Sequence, residues 1–122
     1  MLNIDYRDAR PIYEQVAGGI EDLIVHGAYA ADAQLPSVRQ LASELSINPN
    51  TIQRAFALLE SKGVIYSVKG RGNFVSADGT SVRERRLAEI SMQLRTLAKA
   101  ARALGANEKA IASWILEKEE PS

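Results

Sequence analysis

Apolar positions recur at helical spacing through the first half of the chain, and the recurrence breaks where the residue types themselves stop and start helices. Ile12, Val16, Ile20, Leu23 and Ile24 predict a helix from about Pro11 to His26, with Pro11 in its first turn and Gly27 ending it. Gly18-Gly19 interrupt that helix at a cost of roughly 1 kcal/mol each relative to Ala. We read them as a tolerated weak spot in preference to a point of close backbone approach. The connector "AYAADAQ" carries little local signal. Ser37 then opens a second helix as the capping box S-V-R-Q, with Val38, Leu41, Ala42 and Leu45 as its apolar stripe. Asn48 is a good N-cap and Pro49 a good first residue, so a third helix begins there with the stripe Ile52, Ala55, Phe56 and Leu59. "SINPN" therefore closes one helix and caps the next.

After Lys62-Gly63 the period changes. "VIYSV" and "NFVS" are β-prone runs on either side of Lys69-Gly70-Arg71-Gly72, which predicts a hairpin. Asp78-Gly79 breaks the chain, and Ser81-Val82-Arg83-Glu84 reads as a second capping box launching a helix to about Leu104. Along it Leu87, Ile90, Leu94, Leu97, Ala101 and Leu104 are spaced 3, 4, 3, 4 and 3, the seam of a coiled coil or bundle. Gly105 ends this helix and Asn107 caps a last one, whose apolar face is Ile111, Trp114 and Ile115. No internal repeat or low-complexity tract occurs.

A chain of 122 residues and 13.3 kDa suits one domain, or one small domain with an appendage. Its 46% hydrophobic content is that of a folded protein. So small a core gains from dimerisation. With no cysteine, disulfides and thiolate metal sites are excluded. Nothing resembles a signal peptide or membrane span, and a cytoplasmic chain with no membrane partner is expected. Charge argues mildly against a nucleic-acid binder. The net charge is zero, and residues 1–80 hold seven Lys/Arg against nine Asp/Glu, a net of −2. A DNA-binding reading must rest on where the bases sit.

Their placement supports one. With Ile52, Phe56 and Leu59 inward, the third helix turns Asn50, Thr51, Gln53 and Arg54 outward near its N-terminus, where a recognition helix meets base edges. Asn, Gln and Arg are the residue types that pair bidentately with bases. A solvated face would also be polar, with more Glu and Lys. Arg39 in the first turn of the second helix opposes the helix dipole, so helix stability does not explain it. A phosphate or base contact does, although a long side chain covering apolar surface is an alternative. Lys69, Gly70 and Arg71 at the hairpin tip suit a groove or phosphate contact and equally an idle solvated turn.

The motifs "LPSVRQLASEL", "INPNTIQRAFALLESKGVI" and "KGRGNFV" together resemble the winged-helix domain of GntR-type bacterial transcription regulators, and "NPNTIQRAF" with the short C-terminal part resembles the YtrA-like subgroup. The resemblance covers about residues 10–76 by motif. It implies DNA contacts at Arg39, Asn48, Asn50, Thr51, Gln53 and Gly70, to which side-chain chemistry adds Arg54, Lys69 and Arg71. It also implies a homodimer on a palindromic operator, joined through the C-terminal helices. Many members carry Arg at the positions of Pro49 and Gln53, so the operator is not transferable, and Gln53 points to adenine where Arg would read guanine. The usual Pro-Gly turn before "LPS" is Ala31-Asp32 in this chain, and Asn73 stands where the wing often has Thr.

The expected architecture is mainly α with a small β-hairpin: a winged helix-turn-helix over residues 1–78, then a two-helix dimerisation region over 79–122. Leu87, Ile90, Leu94, Leu97, Ala101, Leu104 and Trp114 form the expected dimer contact, with packing of the seam against the last helix as the intrachain alternative. An enzyme is the poorer reading. The single histidine, His26, sits at a helix end as a cap, no cluster has metal-ligand spacing, and the hairpin lacks a phosphate-loop ending. No cofactor is expected. The rival function is a winged helix used for protein–protein interaction. Some forty C-terminal residues in two helices are too few for an ordinary effector pocket, so no large effector domain is expected, while a small molecule at the dimer interface stays open. The function expected is transcription regulation, as a repressor.

Overall fold

A computed structural model describes residues 2–76 and 79–116, the side chains of 79–81 excepted. Five helices and one hairpin follow in order: α1 (Ile12–Val25), α2 (Val38–Leu45), α3 (Pro49–Ser61), β1 (Ile65–Val68), β2 (Gly72–Val75), α4 (Gly79–Ala103) and α5 (Glu108–Leu116). The chain divides into two compact units, residues 1–84 and 85–122.

In the first unit the predicted stripes meet in one core. Val16, Ala17, Ile20 and Ile24 of α1 pack with Leu41 and Ala42 of α2 and with Ile52, Ala55, Phe56 and Leu59 of α3. The hairpin closes this core with Ile65 and Val75, and Val82 near the start of α4 joins it. Pro11 stands one residue outside α1, as its N-cap at φ −55° and ψ 151°, so the helix is a residue shorter at each end than expected. His26 follows α1, and its Nδ1 donates to the Asp22 carbonyl at 2.7 Å, the capping role expected of it.

The paired glycines of α1 part company. A side chain at Gly18 would meet nothing within 4 Å, which fits a tolerated weak spot. At Gly19 a Cβ would lie 2.1 Å from Leu2 Cδ2, so that reading fails there. The close neighbour is a side chain of the N-terminal segment, not a backbone. Buried Gln15 holds the same segment, accepting from the Asp5 N–H at 2.8 Å and donating to the carbonyls of Asp5 and Arg10.

The capping box of α2 is complete: Ser37 Oγ accepts from the Gln40 N–H at 3.0 Å, and Gln40 Oε1 accepts from the Ser37 N–H at 2.9 Å. Ser46 then takes a left-handed conformation at φ 54°, and the Ile47 N–H reaches back to the Ala42 carbonyl. That closes α2 in the way a glycine usually would. Asn48 Oδ1 accepts from the Asn50 N–H at 2.8 Å with Pro49 as the first helical residue, and α3 begins.

The connector before α2 is more ordered than its composition suggests. Asp32 and Leu35 donate to the carbonyls of Val75 and Asn73, and Val75 donates to Ala33, so the segment lies along β2 as a third leg of the wing. Asp32 adopts φ 63° where the family's turn carries glycine, a conformation Asp tolerates better than most residues. Its carboxylate accepts from the Tyr66 hydroxyl at 2.7 Å, which raises that phenol above its usual 10.0. The connector is thus ordered with Ala31-Asp32 in place of Pro-Gly.

Helix α4 starts at Gly79, two residues ahead of the expected cap, so Ser81 lies inside the helix; its side chain and Asp78 are outside the described residues. In the second unit Asn107 caps α5, its Oδ1 accepting from the Ala110 N–H at 2.9 Å. An ion pair from Arg102 to Glu108 spans the turn between α4 and α5 and lowers the glutamate's pKa. Of the α5 apolar face only Ile111 is buried, while Trp114 and Ile115 are exposed. The α4 seam is not packed within the chain among the described residues: Leu87, Ile90, Leu94, Leu97 and Leu104 are exposed by 58, 51, 48, 66 and 90%, and Ala101 is half-buried.

Candidate nucleic-acid interface

Three elements supply the expected contact residues. On α3 the buried stripe leaves Asn50, Gln53, Arg54 and Ala57 on the opposite side, all exposed, with Thr51 half-buried at the edge. This outer stripe starts at the helix N-terminus, the end whose dipole and N–H groups favour an anion such as a DNA phosphate. Asn48 stands just ahead of it, its Oδ1 committed to the cap. Asn48 thus sets where the helix begins and offers only its amide N–H groups outward.

On α2, Arg39 is exposed in the first turn, against the helix dipole. Among the described residues none accepts a hydrogen bond from the side chains of Arg39, Gln53, Lys69 or Arg71, so these side chains hold nothing of the fold together. At the wing, Val68 to Arg71 form a tight turn closed by the Arg71 N–H on the Val68 carbonyl at 2.9 Å. Gly70 at φ 78° supplies the positive-φ position and lets the backbone come to the surface without a Cβ. Gln34 Nε2 donates to the Arg71 carbonyl at 2.7 Å and fixes the tip from the connector. Tyr66 and Phe74 stack across the hairpin with centroids 5.6 Å apart.

The sequence reading missed two side chains. Gln34 was hidden in a connector with no periodicity. Tyr13 stood beside the apolar stripe of α1 and outside it: its ring lies under the Arg54 guanidinium, 4.0 Å from the centroid. Arg54 is therefore held, whereas Arg39, Lys69 and Arg71 are not. Among the described residues no group of His, Asp or Glu could hold a metal ion, and none of the described helices is long and apolar enough to cross a membrane.

A short turn between two capped helices, the second offering Asn50 and Gln53 to the outside with no partner in the fold, defines a helix-turn-helix regulator, and the fixed basic hairpin makes it a winged one. Residues 12–75 match the model of the gntR family of bacterial regulatory proteins, and the chain belongs to that family. It is 36% identical over 118 residues to the HTH-type transcriptional repressor YtrA of Bacillus subtilis (strain 168), covering 96% of this chain and 91% of that one. Among solved structures, a GntR family transcriptional regulator from Listeria monocytogenes is similar at a TM-score of 0.73 and 36% identity, over 92% of this chain and 98% of that one. The DNA-binding domain of AraR in complex with operator ORR3 is similar at a TM-score of 0.55 and 31% identity, over 61% of this chain and 89% of that one. The resemblance to the YtrA-like subgroup is borne out, and the family is one of transcription regulators, not of enzymes.

Proposed function

We propose that this transcription regulator acts in the cytoplasm as a homodimeric repressor on a palindromic operator. Residues 1–78 grip the DNA and 79–122 join the two copies. Asn50, Thr51 and Gln53 read bases, while Arg39, Arg54, Lys69 and Arg71 hold phosphates or groove edges, and Gly70 lets the wing backbone approach. The observation that carries this reading is the outward placing, at the start of α3, of Asn50 and Gln53, whose side chains have no partner in the fold. The seam of α4 supports the dimer: five apolar positions at heptad spacing on the helix, with Leu104 just past its end, are a surface that a second copy of the same helix covers. With Trp114 added to the contact, the paired helices would set two recognition helices about 34 Å apart, one DNA turn. No cofactor or metal takes part, and any effector would sit at the dimer interface.

Selection of bound sequences from random duplex DNA, repeated on the winner at two salt concentrations, tests the reading. A palindromic consensus whose affinity falls as salt rises is the expected result. No enrichment at low salt overturns it and favours a protein-binding winged helix. Sedimentation showing a monomer at micromolar concentration removes the dimer alone.

A further inference from the structure

Arg54 differs from the other bases of the interface in having a partner, and that partner comes from α1. The guanidinium and the Tyr13 ring share a cleft of about 360 Å³ with Pro11, Ile12, Asn50 and Thr51, at the meeting of the N-terminal ends of α1 and α3. Tyr13 itself is half-buried and packs against the core, so the ring is anchored while the cation above it remains exposed. No carboxylate among the described residues pairs with Arg54, so the stack is not one side of an ion-pair network. The Tyr13 hydroxyl lies 3.3 Å from Glu14 Oε1, turned to its own helix, which leaves the ring face as the part that meets Arg54.

Resting on the DNA-binding reading above, we propose that Tyr13 is a positioning residue for operator recognition. It lays Arg54 flat at the edge of the recognition helix, so that the guanidinium meets the nucleic acid already ordered. An unheld arginine loses much rotamer freedom when it docks, and a planar fork fixed beforehand loses less. Cation–π contact at an exposed site is strong enough for this and too weak to keep Arg54 from a phosphate or base edge. On this view α1 takes part in recognition without touching DNA.

The test is a double-mutant cycle on the duplex chosen by selection, with the full chain at fixed salt. Tyr13→Leu should weaken binding about two- to fivefold, the value of an exposed cation–π contact. Tyr13→Phe should bind as the unaltered protein does. In an Arg54→Ala background, Tyr13→Leu should cause no further loss. Arg54→Ala should reduce the salt slope by about one phosphate contact, whereas Tyr13→Leu leaves the slope unchanged. Equal losses in both backgrounds, or a Phe variant as weak as the Leu variant, would overturn the proposal while the DNA reading stands. Should Tyr13→Leu fail to fold, the unbound protein decides: ring-current shifts on the Arg54 side-chain protons, kept in Tyr13→Phe, support it, and their absence overturns it. Failure of the unaltered protein to bind any duplex removes both readings.

Discussion

Asn48 holds the start of α3 and also stands at the proposed DNA surface, and replacing it separates the two roles. Asn48→Ala removes the 2.8 Å bond from the Asn50 N–H to Oδ1. Loss of an N-cap of this kind costs about 1 kcal/mol. For a unit of residues 1–84, that lowers the melting temperature by about 4–8 °C. Asn48→Asp keeps an acceptor in the same place and adds an anion at the positive end of the helix, worth about 0.3–1 kcal/mol. It should therefore melt at or above the unaltered protein. On DNA the same carboxylate is repelled. A unit charge about 7 Å from one phosphate costs about 1–2 kcal/mol at dielectric values between water and protein surface, which is about a five- to thirtyfold loss of affinity. Thermal scanning and fluorescence anisotropy with labelled operator at fixed salt read the two effects on the same samples. The Ala variant loses stability, whereas the Asp variant loses only binding. An Asp variant melting several degrees low would refute the capping argument, and one binding at full strength would refute the placement of this turn against phosphates.

Gly18→Ala should raise stability by about 1 kcal/mol, because helix propensity rises and nothing stands within 4 Å. Gly19→Ala should show no net gain, since its methyl displaces Leu2, and the gain should reappear in a Leu2→Ala background; thermal melts of the four variants check this. The Tyr66 phenol, held above 10.0 by its bond to Asp32, contributes stability that is complete below the unfolded pKa and is lost as pH rises through the raised folded value. Among the chain's four tyrosines one should therefore ionise late in an absorbance titration, and in Asp32→Asn it should return toward the others.

Legibility followed sequence distance. Ser37 with Gln40 and Asn48 with Pro49 are contacts within one helical turn, so residue type alone locates them. The hairpin is local in the same way, its strands separated by a glycine-bearing tip. What escaped notice joins remote segments. Leu2 fills the space over Gly19, residues 32–35 pair with β2, and Tyr13 lies under Arg54 across 41 positions of chain. None of these leaves a periodic trace, because each depends on how finished helices meet. The start of α4 was misplaced for another reason. Ser81 with Glu84 has the spacing of a capping box, and the helix nevertheless begins at Gly79, with Val82 buried in the core of the first unit. Among the site residues, exposure and helix face were legible for Arg39, Asn50 and Gln53, since each needs only the inward stripe to be known, and Lys69 and Arg71 were legible from their place at a glycine-bearing hairpin tip. The second duty of Asn48 and the tether on Arg54 were not.

Four of the side chains proposed to meet DNA do no work for the fold. Arg39, Gln53, Lys69 and Arg71 can be exchanged with little effect on stability, while Ser37, Gln40, Asn48 and Gln34 keep the frame that carries them. A lineage bearing this scaffold is thus free to drift through new target sequences one substitution at a time, without passing through an unstable ancestor. Duplicated copies of the gene can diverge in the sites they address while remaining the same molecule underneath.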